Sequence, residues 1–358
     1  MSAEQFELTD DLALLGLMLA DAGRQPPLYQ AGPYWAAKAR STAHEIRRCG
    51  LEEFRGTANL IGLSYADCLP IDFRDFLNHG LKKRLARLVT KSYPVSKVFD
   101  TQVQWTESYA RTSLKYAQEI LKLKGRTRDL LARYELPSSL LGGAVAKVEI
   151  DGQEVSVTYL NLLEQHDNVA SRIDFGAAKA VFEIGGGFGV NTHLLLANYK
   201  NIRKVLYLDI PPNLYVGTQY LKAFYGTAVS DYRDLRERDR IEFAADDSLE
   251  IFCIAPWQIE RCGSAIDVFM NSHSFVEMPV SVVKNYCEQF RRFPESSSAA
   301  LAFTTYDAFD RDMTIAPSDL PKFMVDREFE YFEAETLLDS TRRNLYHVSP
   351  GKLAVGRG

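Results

Sequence analysis

No Cys-x-x-Cys pair occurs in the 358 residues, and the five cysteines (Cys49, Cys68, Cys253, Cys262, Cys287) are odd in number and widely spaced. That pattern argues against a zinc site and a disulfide framework; it suits buried free thiols in a reducing compartment, so a cytoplasmic location is expected. The most apolar N-terminal stretch, Leu12-Ala-Leu-Leu-Gly-Leu-Met-Leu-Ala20, is too short to span a bilayer. It follows Thr9-Asp-Asp rather than a basic segment, which argues against a signal peptide and for a helix capped by Thr9 or Asp10. Positive charge is not in excess: 42 Lys and Arg against 47 Asp and Glu leave a net charge of −5. Neither nucleic acid nor an anionic membrane is therefore an expected partner. Internal repeats and long low-complexity tracts are absent too.

What remains is an ordinary globular composition, 46% hydrophobic and 25% charged, long enough for one large domain or two moderate ones. Helical periodicity dominates up to about residue 140, as in segments 35–46, 76–88 and 105–134. Residues 146–159 then alternate around Asp151-Gly152, a hairpin signal, and a helix is expected over 160–171. Beyond residue 176 strand candidates at 180–184, 205–210, 241–244, 266–271 and 299–304 alternate with helical stretches. The expected organisation is a helical region over 1–145, a hairpin with connecting helix over 146–175, and a doubly wound, mostly parallel α/β domain over 176–358.

Within Val181-Phe-Glu-Ile-Gly-Gly-Gly-Phe-Gly-Val190, four glycines crowd into five residues behind an apolar run and an acid. Such turns cradle phosphates or nucleosides. No lysine follows, which excludes a Walker loop, and Val190 stands where a dinucleotide fingerprint would have its last glycine. The pattern is instead an acid followed by alternate glycines: Glu183, Gly185, Gly187, Gly189. It resembles the first motif of class I S-adenosylmethionine-dependent methyltransferases, in which a Cβ on this turn would collide with the cofactor. Three further elements fall where the resemblance requires. Asp209 ends the next apolar strand and would accept the ribose hydroxyls. Asp246 and Asp247 would read the adenine amino group. Asn271 closes the strand whose carboxyl end faces cofactor and substrate.

The finer resemblance is to the sugar O-methyltransferase family of antibiotic biosynthesis clusters. It rests on Glu183-Ile-Gly-Gly-Gly-Phe-Gly189, Leu208-Asp-Ile-Pro-Pro-Asn-Leu-Tyr215 and Asn271-Ser-His-Ser-Phe-Val-Glu-Met278, and spans roughly residues 180–280. The family's third stretch usually reads Asn-Thr-Asn-Ser with Gln before Glu-Met, so Ser272, His273 and Val276 are departures at the acceptor end. The resemblance implies a Rossmann-like fold, S-adenosylmethionine as cofactor, and a small acceptor such as a deoxysugar or glycosylated metabolite.

An acceptor hydroxyl must lose a proton as it is methylated, and His273 is the first candidate base. Glu277, four residues on, is placed to orient it or to favour a helix start. Glu164 and His166 precede the glycine loop on a helix that in this fold often closes over the cofactor. His193 reads as packing, and Phe188 and Tyr215 as cofactor contacts or core. No metal-ligand spacing stands out. Two alternatives stay open: carbon methylation of a prenyl diphosphate, with Mg²⁺ and the cationic cluster Lys82-Lys-Arg84 and Arg87, and a non-catalytic cofactor-binding partner in a biosynthetic complex. A homo-oligomer is compatible with either.

Overall fold

The computed structural model describes residues 6–56, 121, 125–138, 140–144, 147–306, 315–337 and 343–356. Lys82, Lys83, Arg84, Arg87 and Cys68 lie outside them, as do the expected helix at 76–88 and most of that at 105–134. The first described helices are α1 (Leu12–Ala22), α2 (Pro33–Cys49) and α3 (Gly125–Arg133). α1 is capped by Asp11, whose side chain accepts the Leu14 N–H, rather than by Thr9 or Asp10. Asp10 instead accepts hydrogen bonds from the Leu51 N–H at 3.2 Å and the Tyr215 hydroxyl at 3.1 Å. Tyr215 is thus fully buried structure.

The hairpin follows as β1 (Lys147–Ile150) and β2 (Gln153–Ser156), antiparallel, with Asp151 and Gly152 at φ of 51° and 85°. Both turn residues take positive φ, the backbone that Asp-Gly accommodates at least cost. Helix α4 (Val157–Ala170) leads from the hairpin into the main sheet.

That sheet comprises β3 (Ala180–Ile184), β4 (Lys204–Leu208), β5 (Val229–Ser230), β6 (Glu250–Ile254), β7 (Val268–Ser272), β8 (Ala300–Thr305), β9 (Glu330–Glu335) and β10 (Arg343–Ser349). Its order is β5-β6-β4-β3-β7-β8-β10-β9, parallel from β5 to β8, with β10 antiparallel to both neighbours. β3, β4 and β8 are buried along their whole length, as parallel strands covered on both faces must be. Period-2 alternation divides the core in two. Val181, Val205, Tyr207, Val268 and Met270 face the layer of α1, α4, α5 (Val190–Asn198) and α6 (Pro211–Tyr225). Phe182, Leu206, Phe252 and Phe269 face the helix Val280–Phe290 on the other side. The fold is a Rossmann-like, mostly parallel α/β sandwich.

Four of the expected strands correspond to β3, β4, β7 and β8, whereas residues 241–244 form none: Ile241 makes a single bridge to Cys262. The strand that pairs in parallel with β4 on its outer side is β6, built from Glu250-Ile-Phe-Cys-Ile254. Winding proceeds from β3 leftward through β4 to β6 and returns to β7 on the other side, which opens a crevice at the carboxyl ends of the central strands. Among the described residues no helix is long and apolar enough to cross a membrane, and the cysteines are free.

Candidate functional site

The crevice is a cavity of about 160 Å³ at the carboxyl ends of β3, β4, β6 and β7. The glycine loop forms its floor. Gly185, Gly187 and Gly189 adopt φ of 71°, 64° and 87°, a region that side chains disfavour. A Cβ at Gly185 would strike Ser274, one at Gly186 would strike the Tyr207 ring, and one at Gly189 would press on Leu221. At Gly185 and Gly186 the protein's own packing already excludes a side chain, and at Gly189 the left-handed φ and Leu221 disfavour one, before any cofactor is considered. Of the alternating glycines, Gly185 and Gly189 thus have a packing reason of their own beside the cofactor contact the resemblance implies.

Glu183 is buried beneath the loop and accepts from Asn191 Nδ2 at 3.0 Å and Thr192 Oγ1 at 2.5 Å. It ties β3 to the first turn of α5, and burial pushes its carboxyl above the usual range. Asp209, at the end of β4, accepts the Gly187 N–H at 2.8 Å and the Ile210 N–H at 2.7 Å. Burial raises its pKa to about 7, against the lowering effect of those donors. Beside it, the buried Asn213 Oδ1 has no hydrogen-bond partner. An ionisable acid paired only with neutral donors, next to an unsatisfied acceptor, suits a ligand rich in hydroxyl and amino donors. A nucleoside with an amino-acid tail has that chemistry, so these residues fit S-adenosylmethionine.

Asn271 is buried and donates to the Ile184 carbonyl at 2.8 Å and to Ser274 Oγ, while its Oδ1 accepts the Phe275 N–H. It pins the loop after β7 to the loop after β3 and does not line the cavity. Asp246 and Asp247 are exposed and also outside the lining. Asp246 accepts from Lys204 Nζ at 3.0 Å. Lys204 opens β4, so the pair sits at the amino end of the strands, opposite the cavity. The carboxyl end of β6, where a residue could reach a bound base, supplies Pro256 instead.

His273 lines the cavity just beyond β7 at φ of 69°, a strained backbone for a histidine. Its Nε2 lies 3.0 Å from Oδ1 of Asn344 on β10. With Oδ1 as acceptor, Nε2 carries the proton and Nδ1 the lone pair. Burial pulls the imidazole pKa down to about 4, so the ring is neutral near pH 7. Glu277 also lines the cavity but does not touch His273. Its two oxygens accept from Trp35 Nε1 at 2.8 Å and from the Tyr306 hydroxyl at 2.7 Å. Tyr306 links the two, since its ring packs edge-on against His273 at 5.3 Å.

Glu164 and His166 are not part of the site. Glu164 is buried, accepts the Leu337 N–H at 2.8 Å and lies near Arg126; His166 bonds the Tyr199 hydroxyl inside an aromatic cluster with Tyr134 and Phe175. The face of α4 that lines the cavity is Thr158, Asn161, Leu162 and Gln165. Those positions follow the i, i+3, i+4, i+7 helical repeat, a signal in the sequence that would have found them. The segment Gln30–Gly32 with Trp35 carried no comparable signal, because its placement over the cavity is fixed by contacts far along the chain. His193 stacks on Phe224 at 3.7 Å and is packing. Phe188 lines the cavity and also packs on Phe54 and Tyr220. No group of three or more His, Cys, Asp or Glu side chains is placed to hold a metal among the described residues.

Neither the protein-family models nor the curated proteins give a match to this chain. Solved structures do. The chain is similar to the mitomycin 7-O-methyltransferase MmcR (12% identity, 88% of this chain and 100% of that chain, TM-score 0.36). It is also similar to the N-methyltransferase NodS from Bradyrhizobium japonicum WM9 in complex with S-adenosyl-L-homocysteine (11%, 52% and 86%, 0.33). A third is a SAM-dependent methyltransferase from Aquifex aeolicus (12%, 52% and 98%, 0.30).

Proposed function

We propose that the chain is an S-adenosylmethionine-dependent methyltransferase whose acceptor is a hydroxyl of a small natural product, a deoxysugar or glycosylated metabolite. The observation that carries this reading is the meeting, in one cavity, of the glycine loop with Asp209 and of His273 at the end of β7. Asp209 and Asn213 would hold the ribose and neighbouring donors, and the loop N–H groups would line the cofactor's path. The cofactor, when bound, supplies a methyl group on a sulfonium. The chain itself must then hold the acceptor in line and take its proton. His273 suits the second role, because it is neutral, it faces the cavity, and Asn344 fixes its tautomer. Asn271 positions the loop that carries it. The described lining has no Lys or Arg, and Lys82, Lys83, Arg84 and Arg87 lie outside the described residues.

The test is calorimetric binding of S-adenosylmethionine, followed by S-adenosylhomocysteine release with a panel of deoxysugar glycosides. His273→Ala should lower turnover by about 10²- to 10⁴-fold with cofactor affinity unchanged. Chelator should leave the rate as it is. A chelator-sensitive methylation of a prenyl diphosphate, indifferent to His273, would replace this reading with carbon methylation. Cofactor binding without turnover of any acceptor would favour the non-catalytic partner.

A further inference from the structure

Glu277 brings a carboxylate to the cavity wall and, among the described residues, makes no ion pair there. Its hydrogen-bond partners, the Trp35 indole and the Tyr306 hydroxyl, are neutral. Lys38 acts on it electrostatically from the exposed side of α2, but its ammonium donates to the Tyr34 hydroxyl at 2.7 Å rather than to the acid. A second observation concerns Gln165 on α4. It is 7% exposed, it lines the same cavity, and its Oε1 has no partner. Leaving a buried acceptor unmet is unfavourable, so a ligand that donates to it recovers that loss.

The charges around the cavity point one way. Its described lining holds three carboxylates, those of Glu183, Asp209 and Glu277, and no Lys or Arg. Glu183 is satisfied by α5, and Asp209 is assigned to the cofactor. Glu277 and Gln165 are left to meet the acceptor, and both ask for a donor. A phosphate or carboxylate on the acceptor would meet these carboxylates with like charge, and a bare hydroxyl would not offset the cost of ionising Glu277, whose pKa burial raises.

We propose that the acceptor carries a protonated amine, recognised by Glu277 and Gln165, which makes an amino-substituted deoxysugar the favoured class. This rests on the methyltransferase reading above. The amine is a recognition handle and His273 serves the neighbouring hydroxyl.

The experiment is calorimetry on the full chain saturated with S-adenosylhomocysteine. The probes are the methyl glycoside of a 3-amino-2,3,6-trideoxyhexose and its 3-hydroxy counterpart, at pH 7. The amine should bind about tenfold tighter or more, as expected for a charge-assisted hydrogen bond. Glu277→Gln should abolish that preference while S-adenosylhomocysteine affinity stays at the wild-type value. Trp35→Phe removes the indole donor but keeps the charge, and should retain the preference. Equal binding of the two sugars, no binding of either, or a preference that survives Glu277→Gln would overturn the proposal. So would loss of the preference in Trp35→Phe, because Glu277 would then only be anchoring α2. Failure of S-adenosylhomocysteine to bind would overturn the methyltransferase reading and this proposal together, whereas intact binding without an amine preference overturns this proposal alone.

Discussion

Tyr207 reaches from β4 to donate its hydroxyl to the Gly187 carbonyl at 2.7 Å, so the glycine loop rests on a phenol buried in the core. The same ring leaves no room for a Cβ at Gly186 or at Gly217 on α6. Loop, strand and helix thus share one side chain.

Gly217→Ala should therefore destabilise the fold by on the order of 2 kcal/mol, although alanine is the better helix former by about 1 kcal/mol. In a Tyr207→Leu background the same substitution should be neutral or favourable. Urea unfolding of the four-protein cycle measures the coupling. A Gly217→Ala protein more stable than wild type would show that the close contact relaxes freely.

Asp209 links cofactor affinity to pH. Its carboxyl is raised from 3.8 to about 7 by burial, so the ligand-free fold keeps this proton where the unfolded chain has released it. The group's contribution to folding stability therefore falls as pH rises between those two values. A bound ribose needs the ionised acceptor, so S-adenosylmethionine affinity should drop as pH falls below 7, by up to about tenfold per unit. Asp209→Asn should bind weakly and with a flat profile. Calorimetry from about pH 5.5 to 8.5 decides, and a wild-type affinity independent of pH would count against the ribose assignment.

His347 on β10 is 2% exposed, and neither ring nitrogen has a hydrogen-bond partner. Burial lowers its pKa from 6.5 to about 4. The unfolded chain takes up a proton in that window and the folded chain does not, so stability is present above 6.5 and is lost as pH falls toward 4. His347→Phe should stabilise the protein by about 1 kcal/mol at neutral pH, since it removes two unmet polar atoms. Its advantage should widen at about pH 5. His166, His193 and His273 share the same depression, so acid sensitivity should diminish without disappearing. Thermal midpoints at the two pH values test this; an advantage that shrinks in acid would refute it.

Legibility in the sequence followed burial on both faces. Continuous apolar runs mark β3, β4, β7 and β8, and Asp209 and His273, at or just beyond the carboxyl ends of β4 and β7, line the cavity. Ile241-Glu-Phe-Ala244 also alternates and so reads as a strand, although Glu242 and Ala244 are exposed and only Ile241 bridges. A strand there would place Asp246 and Asp247 after it, facing the cavity; in the structure they precede β6, at the other end of the sheet. β9 escaped notice because Glu330, Glu333 and Glu335 give an edge strand little apolar signal. Glu164 and His166 misled by residue type, since burial converted both into structural partners.

The long-range ties of the N-terminal segment also set a timetable for synthesis. Asp10 meets Tyr215, Asp21 meets Arg236, Tyr29 meets Glu260 and Trp35 meets Glu277, each partner more than 200 residues downstream. On the ribosome this segment emerges well ahead of those partners and must wait, its apolar Leu14, Leu15 and Met18 without their final neighbours, until α6 and the strands beyond it have been made. A part of the chain translated early is therefore among the last to dock, and the cavity acquires its Trp35 wall only after β7 and Glu277 have left the exit tunnel.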